Sequence, residues 1–531
     1  MPSTQPTLLK PNGPQADIEF EKELWEAAVS MRGNVAPADY KHYVLPLIFL
    51  RFLSLKYERR KEELGRLIRE PQSEYFTNDP EIAAGILEDE DEYRRKNVFV
   101  VPETAGWEYL VAHAADDDIK LKLDQAMEKL ETAYPNLRGI LPKIYAGSNL
   151  PRESVTGLIN LFSRDIFKGE VGKESDVLGR VYEYFITNFA STEGTRGGEF
   201  FTPGSVVKLL VAMLAPERGS KIFDPACGSG GMFVQSARFT HNGGGLSFYG
   251  QETIDTTIRL GKMNMILHGI EGDIRMGNSL LDDKHPDLKA DFVLANPPFN
   301  LKEWGASRIS PNDKRIQVGT AKCLPTDSNA NYFWIQHFLY HLAEGGTAGF
   351  VMANGSMTTS QTQEQAARIA LVDNGFVDCI VQLPDKLFIG TGIPACLWFL
   401  SKNRNGRGGH RKRDEEILFI DAREKGEMVT RRLRVLPEAQ INDIAAIYHN
   451  YRNGGDYEDI PGFCAVAKVK EVQANGYKLT PGIYVGLPPV EEDGIPFAEK
   501  MEGFRQELTN LFAQANQLQA KIVQELENLY M

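Results

Sequence analysis

Short apolar runs alternate with longer amphipathic segments between residues 221 and 299, and this alternation restricts the fold more than any other feature of the chain. The runs begin near Lys221, Leu246, Ile274 and Phe292. Such an alternation predicts a parallel sheet with helices on its faces. Residues that can bind a ligand follow each run, and in open α/β sheets ligands bind at the carboxyl ends of strands. The sequence therefore predicts an α/β fold with one site at four strand ends.

The fourth run, residues 292–295, ends abruptly in Asn296-Pro297-Pro298-Phe299. Neither proline can donate a backbone hydrogen bond, so the strand stops there. The side-chain oxygen of Asn296 and the carbonyl oxygen of Pro297 then form a rigid pair of acceptors, which suits an exocyclic NH2 group whose nitrogen gains positive charge during reaction. Phe299 offers an aromatic face for a flipped-out base. The alternative is a proline turn that closes a core strand, with Phe299 as packing.

The first run leads into a glycine-rich loop at residues 224–231, just before a predicted helix. Glycines at this place let the backbone approach a ligand closely. Glu252 follows the second run, about 20 residues beyond the glycines, where an acidic side chain can hold ribose hydroxyls. Asn278, after the third run, either hydrogen-bonds an adenine edge or is a simple turn residue. No Lys-Ser/Thr pair follows the loop at P-loop spacing, which argues against an ATPase.

A second glycine-rich stretch, residues 194–203, precedes the first run and ends in two aromatic residues, Thr202 and Pro203. Ser205 opens a predicted helix at 206–214. Thr202 and the start of this helix offer hydrogen-bond donors for a carboxylate. The alternative is a capped helix after a mobile loop.

The segments that flank the core have patterns of their own. Residues 17–167 are predicted to be helical, carry no catalytic constellation and suit docking. The polar segment 301–328 is long for a loop, and we expect it to cover the site or to contact DNA. The apolar runs 377–383 and 395–400 predict a hairpin-like pair at the sheet edge. Apolar residues at 497–522 alternate spacings of four and three, a heptad seam that either folds back as a hairpin or pairs with another subunit.

Composition narrows the class of protein. The chain has 531 residues, so we expect two or three domains. Its formal net charge is −13. We therefore expect either a substrate other than nucleic acid or a partner that provides much of the DNA binding. The five cysteines are scattered without a CxxC pair, which argues against a zinc ribbon and favours a reducing cytoplasm. His337 and His341 are predicted to pack within a helix, and no metal site is expected. No apolar run reaches membrane-spanning length.

The motifs at 224–231 (DPACGSGG), 250–252 (GQE) and 296–299 (NPPF), preceded by GEFFTP at 198–203, resemble those of amino-methyltransferases that use S-adenosylmethionine. Their order resembles that of gamma-class adenine-N6 DNA methyltransferases. This resemblance implies a Rossmann-like S-adenosylmethionine-dependent methyltransferase core.

Three further stretches narrow the resemblance. Residues 25–54, 387–403 and 477–486 are similar to the modification subunits of type I restriction-modification systems. The resemblance spans roughly residues 21–485. It implies an N-terminal helical domain (1–168), a methyltransferase domain (169–490) and a C-terminal coiled-coil-like helix for subunit pairing (491–531).

The resemblance also implies roles for individual residues. The amine of the target adenine would donate hydrogen bonds to Asn296 and Pro297, and Pro298 follows them in the same motif. Phe299 would stack on the flipped base. Asp224 would order the glycine loop. The residues expected to bind S-adenosyl-L-methionine are Glu199, Phe200, Phe201, Thr202, Pro203, Asp224, Gly228, Ser229, Gly230, Glu252 and Asn278.

The family implies partners as well. Two modification subunits would work with one specificity subunit that chooses the target in double-stranded DNA, and a separate restriction subunit can join. This arrangement accounts for an acidic chain, because the specificity subunit carries the target recognition. Two other functions remain open from the sequence: methylation of a protein glutamine amide, which has the same NH2 geometry, and an assembly scaffold without turnover.

Overall fold

The computed structural model describes residues 14–33, 35–164, 177–193, 202–240, 245–388, 394–406, 409–431, 433–488 and 497–529. The chain divides into two compact units, Met1–Val485 and Gly486–Met531. Within the described ranges, no helix combines the length and the apolar character needed to cross a membrane.

The α-helices of the first unit comprise an N-terminal group and a group that flanks the sheet. Their bounds are α1 Pro14–Ser30, α2 Pro37–Leu67, α3 Pro80–Glu88, α4 Glu90–Arg94, α5 Trp107–Ala112, α6 Ile119–Ala133, α7 Arg152–Phe162, α8 Val177–Glu193, α9 Gly204–Leu214, α10 Gly231–Phe239, α11 Asp255–Leu267, α12 Asn331–His341, α13 Thr362–Asp373, α14 Glu438–Asn453 and α15 Val469–Ala474.

The strands form one large sheet and two small hairpins. Their bounds are β1 Lys221–Asp224, β2 Ser247–Glu252, β3 Gly272–Met276, β4 Ala290–Ala295, β5 Gln317–Val318, β6 Ala321–Lys322, β7 Leu342–Ala353, β8 Val377–Gln382, β9 Ala395–Ser401, β10 Glu416–Asp421, β11 Glu427–Thr430, β12 Leu433–Val435 and β13 Cys464–Lys468.

The large sheet has the order β13-β10-β8-β9-β7-β4-β1-β2-β3. Its neighbouring strands run parallel, except that β9 is antiparallel to β7 and β8 and β13 is antiparallel to β10. Helices α9, α10, α11 and α14 cover one face, and α12 and α13 cover the other. Because both faces are covered, every residue of β8, β9 and β10 is buried. The predicted α/β fold with a mostly parallel sheet is confirmed.

The pair β8 and β9 is antiparallel, as predicted, but its predicted place at the sheet edge is wrong. Strand β10 pairs with β8 on its outer side, and β13 lies beyond β10. The chain reaches β10 through a segment whose Arg404 and Arg413 both donate to Asp378 of β8, at 3.0 Å and 2.8 Å. These buried ion pairs hold the segment at the amino end of β8, so that β10 can add to the sheet.

Helices α1, α2 and α5–α8 surround a separate hydrophobic core, as the helical pattern of the N-terminal region predicts. Leu260, Met263 and Leu267 of α11 are buried in this core, whereas Ile258 and Met265 of the same helix are buried against the sheet. The hydroxyl of Tyr182 on α8 donates to the carbonyl oxygen of Leu260 at 3.0 Å. Helix α11 is therefore shared by the two cores.

The polar segment 301–328 folds against α12. It contains two 3-10 turns, Ala306–Arg308 and Lys314–Ile316, followed by the β5–β6 hairpin. The ring of Trp304 stacks on Phe333 of α12, with a centroid distance of 5.1 Å. Buried aromatic and apolar side chains thus explain why a polar stretch without periodicity is ordered.

The second unit contains one long helix, α16, Phe497–Leu529. Its apolar side chains are exposed, from Phe497 (78%) to Ile522 (59%). The exposed seam contains Phe497, Met501, Phe504, Leu508, Leu511, Leu518 and Ile522.

Candidate active site

The site lies where the strand order reverses. Strand β1 pairs with β2 on one side and with β4 on the other. The chain adds β2 and β3 towards one edge of the sheet and then crosses back to add β4 on the other side of β1. Ligands bind in the crevice at such a switch point. A cavity of about 580 Å³ opens there, within the range of about 300–1,000 Å³ for small-molecule sites. Its walls include Lys41, Glu183, Thr202, Asp224, Gly228, Ser229, Gly231, Glu252, Asn264, Asn296, Pro297, Pro298 and Trp334.

Asn296 stands immediately after β4, and its amide nitrogen donates to the hydroxyl of Thr202 at 2.9 Å. Thr202 lies just before α9, whose first residue, Gly204, follows Pro203. The contact fixes the plane of the Asn296 amide and places its oxygen on the side away from Thr202. Two residues that the sequence singled out in separate motifs thus meet on one wall of the cavity.

Glu252 organises the glycine loop. Its Oε2 accepts from the backbone nitrogen of Gly228 at 3.0 Å, and its Oε1 accepts from Thr253 and Ile254 at 2.7 Å and 3.1 Å. Gly228 and Gly230 have backbone φ values of +50° and +75°, which residues other than glycine rarely adopt. A carboxylate at the end of β2 therefore stabilises a loop whose backbone conformation favours glycine, and the carboxylate also lines the cavity.

Two residues of α11 complete the loop, and sequence reasoning missed both. A Cβ atom at Gly261 would lie 2.7 Å from the carbonyl oxygen of Gly228, so only glycine allows the helix to approach this closely. The amide nitrogen of Asn264 donates to the carbonyl oxygen of Ser229 at 2.9 Å. A glycine inside a predicted helix is unfavourable by about 1 kcal/mol and was the available signal for Gly261.

Asn264 also presents an acceptor to the cavity. The residue is buried, and its Oδ1 has no hydrogen-bond partner among the described residues. A buried polar atom without a partner costs free energy unless a ligand supplies a donor. Together with the carboxylate of Glu252 and the carboxyl group of Asp224, it makes this wall suited to hydroxyl and amino donors and to a positively charged group.

Asp224, the last residue of β1, is buried, and its pKa is raised from 3.8 to about 8. Burial is the main cause, since it disfavours the carboxylate, and the charge of Glu252 adds to it. The backbone nitrogen of Ala226 donates to Asp224 Oδ1 at 3.0 Å and opposes the rise. The cavity thus contains a carboxyl group that a nearby cation would ionise.

The other predicted site residues occupy different places. Asn278 Oδ1 accepts from the backbone nitrogens of Leu280 and Leu281 at 3.0 Å and 3.2 Å, which is the role of a turn residue. Phe299 is half-buried, and its ring meets Phe388 edge-on at 6.4 Å. Gly230 lies within the glycine loop. Glu199, Phe200 and Phe201 lie outside the described residues.

His337 and His341 lie on α12, beneath β1 and outside the cavity. Both are buried, and His341 Nε2 lies 3.0 Å from Asp283 Oδ2. His341 Nδ1 lies 3.0 Å from the carbonyl oxygen of Leu288. These hydrogen bonds attach α12 to the segment 283–288, which leads into β4.

Comparison with known families identifies the architecture. The family described as N-6 DNA Methylase matches residues 173–493, and the family described as HsdM N-terminal domain matches residues 20–162. The chain belongs to the N-6 DNA methylase family. The match covers the sheet and the motifs around the cavity, and it shows that the chain is a DNA methyltransferase.

Relatives of this methylase support the assignment along nearly the whole chain. It is 42% identical to the methylase subunit of the type I restriction enzyme MjaIX from Methanocaldococcus jannaschii, over 96% of this chain and 91% of the relative. It is also 42% identical to the methylase subunit of the HindI enzyme from Haemophilus influenzae, over 77% of this chain and 92% of the relative.

A solved structure shares the fold of the methylase. The methyltransferase subunit of a type I restriction-modification system from Streptococcus thermophilus is 25% identical, with a TM-score of 0.72. The superposition covers 88% of this chain and 99% of that subunit. The combination of N-terminal helices and a mostly parallel sheet is therefore common to both.

Proposed function

We propose that this methylase is the modification subunit of a type I restriction-modification complex and transfers a methyl group from S-adenosylmethionine to N6 of adenine in double-stranded DNA. The observation that carries the proposal is the placement of Asn296. The residue follows a central strand at the switch point, borders the cavity, and has its amide plane fixed by Thr202.

Asn296 and Pro297 act on the amine of the adenine. The amide oxygen of Asn296 and the carbonyl oxygen of Pro297 each accept a hydrogen bond from one N–H group of the amine. These two hydrogen bonds localise the lone pair on the nitrogen. The same two dipoles would stabilise the positive charge that develops on the nitrogen as it bonds to the methyl carbon, while the S–CH3 bond breaks and its electron pair stays on sulfur. The nitrogen would then release one of its two protons to solvent, which leaves a neutral methylamino group. Phe299 stacks on the base outside the duplex.

The cofactor site fits S-adenosylmethionine, which supplies an electrophilic methyl group when it is bound. Glu252 accepts from ribose hydroxyls, the backbone at Gly228 and Ser229 approaches the ligand, and Asn264 accepts from an amino group. Glu252 places negative charge near a cationic ligand, and the carboxyl group of Asp224 would add to this charge once the ligand ionises it. The methionine end of S-adenosylmethionine is proposed to contact Glu199, Phe200, Phe201, Thr202 and Pro203. Its adenine edge is proposed to contact Asn278.

The acidic chain requires a partner to choose its target. Relatives that are 42% identical are named as methylase subunits of type I restriction enzymes, which are assemblies of different subunits. We propose that two copies of this chain bind one specificity subunit, that a restriction subunit can join, and that α16 pairs with helices of the specificity subunit. In this arrangement residues 1–168 dock, residues 169–490 catalyse, and residues 491–531 assemble the complex.

Tritiated methyl transfer to DNA, with and without a co-expressed specificity subunit, tests the proposal. We expect transfer only with the partner, recovered as N6-methyladenine after hydrolysis. Asn296→Ala should abolish transfer and keep S-adenosylmethionine binding, measured by equilibrium dialysis. Methyl transfer at the wild-type rate by this variant would refute the role of Asn296. Labelling of a protein glutamine, or cofactor binding without transfer, would favour the glutamine-amide methyltransferase or the scaffold.

A further inference from the structure

The hairpin formed by β11 and β12 projects from the molecule. All four residues of β11 are exposed, and the strand pairs only with β12 within the described residues. Met428 and Val429 are 43% and 64% exposed. The register of the hairpin shifts between Met428 and Thr430, so Val429 is an extra, bulged residue of β11. The hairpin therefore presents two neighbouring apolar side chains to solvent.

The hairpin emerges at the same edge of the sheet as Asn296. It follows β10, which is parallel to β8. Strand β9 is antiparallel to both β8 and β7, and β7 is parallel to β4. The carboxyl ends of β10 and β4 therefore point in the same direction, which is where the target base must enter.

The base of the hairpin is attached to the predicted base-stacking residue. The backbone nitrogen of Arg434 donates to the carbonyl oxygen of Lys386 at 2.9 Å, and its guanidinium lies 3.3 Å from Asp385. Two residues after Lys386, the ring of Phe388 meets Phe299. Segment 385–388 therefore joins the hairpin to the place where the adenine would stack.

The base is also held on its other side. The backbone nitrogen of Gly426 donates to Gln440 Oε1 at 2.6 Å, and Arg434 Nη1 donates to the carbonyl oxygen of Lys425 at 2.9 Å. These bonds fix the lower end of the hairpin on α14, while the residues near its tip remain exposed. The arrangement suits a rigid projection.

The charge of the hairpin is complementary to DNA. The sequence from 423 to 434 contains five basic and two acidic residues, in a chain with a net charge of −13. Arg423 and Arg434 are paired with Asp421 and Asp385. Arg431, in the turn, is exposed. An apolar tip beside a basic turn is the combination with which proteins unstack base steps while they contact phosphates.

We propose that the β11–β12 hairpin enters a groove of the DNA beside the target adenine and helps to keep that base outside the duplex. Met428 and Val429 contact the neighbouring bases, and Arg431 contacts a phosphate. The inference rests on the proposed function, because it assigns a role to this chain in expelling the base that Asn296 and Phe299 receive.

The test compares two DNA substrates in the complex with the specificity subunit. In one duplex the target adenine is paired with thymine, and in the other it faces an abasic site, which lowers the cost of expelling it. The double variant Met428→Ser/Val429→Ser should methylate the paired duplex about tenfold more slowly than wild type and the abasic duplex at nearly the wild-type rate. Ile82→Ser, an exposed apolar position on α3, is the matched control.

Two results would overturn the inference and leave the proposed function intact. The double variant could methylate the paired duplex as fast as the Ile82→Ser protein does, or it could lose the same factor on both duplexes, which would indicate a role in folding or general binding. A wild-type complex that methylates neither duplex would overturn the proposed function and this inference with it.

A charge variant tests the phosphate contact separately. Arg431→Gln should weaken DNA binding and reduce the slope of log affinity against log salt concentration by about one. Lys322→Gln, exposed on β6, is the control, because the β5–β6 turn contacts Asn374 at the amino edge of the sheet. Equal salt slopes for the Arg431→Gln and wild-type proteins would exclude the phosphate contact.

Discussion

The amide nitrogen of Asn296 and the hydroxyl of Thr202 lie 2.9 Å apart, although the two residues are separated by 94 positions in the sequence. The hydrogen bond connects a residue two positions before α9 with the residue after β4. It gives the side chain of Asn296 one orientation, in which its oxygen can serve as an acceptor for a substrate amine.

Replacing Thr202 by valine removes this hydrogen bond and keeps the shape of the side chain. The amide of Asn296 would then be oriented poorly, and we expect kcat to fall about tenfold, because a net loss of about 1.4 kcal/mol accompanies the removal of one such bond. Thr202→Ser retains a hydroxyl and should keep most of the activity. Steady-state methylation assays of the complex distinguish the two, and equal kcat values for the valine and serine variants would contradict the orienting role.

Gly261→Ala should disturb the glycine loop from behind. The added Cβ would lie 2.7 Å from the carbonyl oxygen of Gly228, so either the loop or α11 must move. We expect a loss of about 1–3 kcal/mol in the free energy of unfolding, as in other overpacked sites, and weaker binding of S-adenosylmethionine. Isothermal titration calorimetry and thermal unfolding measure both effects.

Gly85→Ala is the control for that substitution. Gly85 lies in helix α3, and nothing lies within 4 Å of the position that its Cβ would occupy. Alanine has the higher helix propensity, by about 1 kcal/mol, so this variant should be at least as stable as wild type. If both alanine variants bind the cofactor equally well, the close approach of α11 is not required.

The carboxyl group of Asp224 should make the stability of the fold depend on pH. Its pKa is raised from 3.8 to about 8 in the folded protein, so the folded state holds a proton that the unfolded chain has already lost. The free energy of unfolding should therefore decrease as pH rises from about 4 to about 8. Asp224→Asn removes this dependence and keeps an oxygen for the backbone nitrogen of Ala226.

Urea unfolding of both proteins at pH 5 and pH 8 provides the measurement. Wild type should lose about 1.4 kcal/mol for each of the three pH units between these values, because the folded state must give up its proton. The free energy of unfolding of the Asn variant should therefore rise by about 4 kcal/mol relative to that of wild type. The difference between the variants cancels the contribution of other titrating groups. Parallel pH profiles would show that Asp224 is ionised in the folded protein.

The exposed seam of α16 should be required for binding the specificity subunit. Leu511→Glu/Leu518→Glu places two charges on the seam, and we expect loss of co-purification with the partner. Gln506→Glu adds a charge to the same helix at an exposed position opposite the seam and should leave assembly intact. Both proteins should bind S-adenosylmethionine like wild type, because the cavity belongs to the first unit. Normal assembly of the double variant would assign the pairing to another surface.

Much of the fold could be predicted because local patterns decide it. The apolar run 292–295 and the two prolines after it define the end of β4, and the glycines at 228 and 230 adopt the conformations that only glycine allows readily. The order of the strands beyond β9 could not be predicted, because it depends on the contacts of Arg404 and Arg413 with Asp378.

The missing parts of the site are contacts between distant segments. Gly261 belongs to a predicted helix, and nothing near it in the sequence indicates that Gly228 lies against it. Asn264 resembles any polar residue of an amphipathic helix, and its contact with Ser229 becomes visible only when α11 is placed beside the loop.

The sharing of α11 between two cores has a consequence for inheritance. Leu260, Met263 and Leu267 pack among the N-terminal helices, while Gly261 and Asn264, on the same helix, support the loop at the cavity. A recombination event that exchanged only the N-terminal helices between related systems would place a foreign surface against the back of the helix that supports the glycine loop. The two regions must therefore change together in descent.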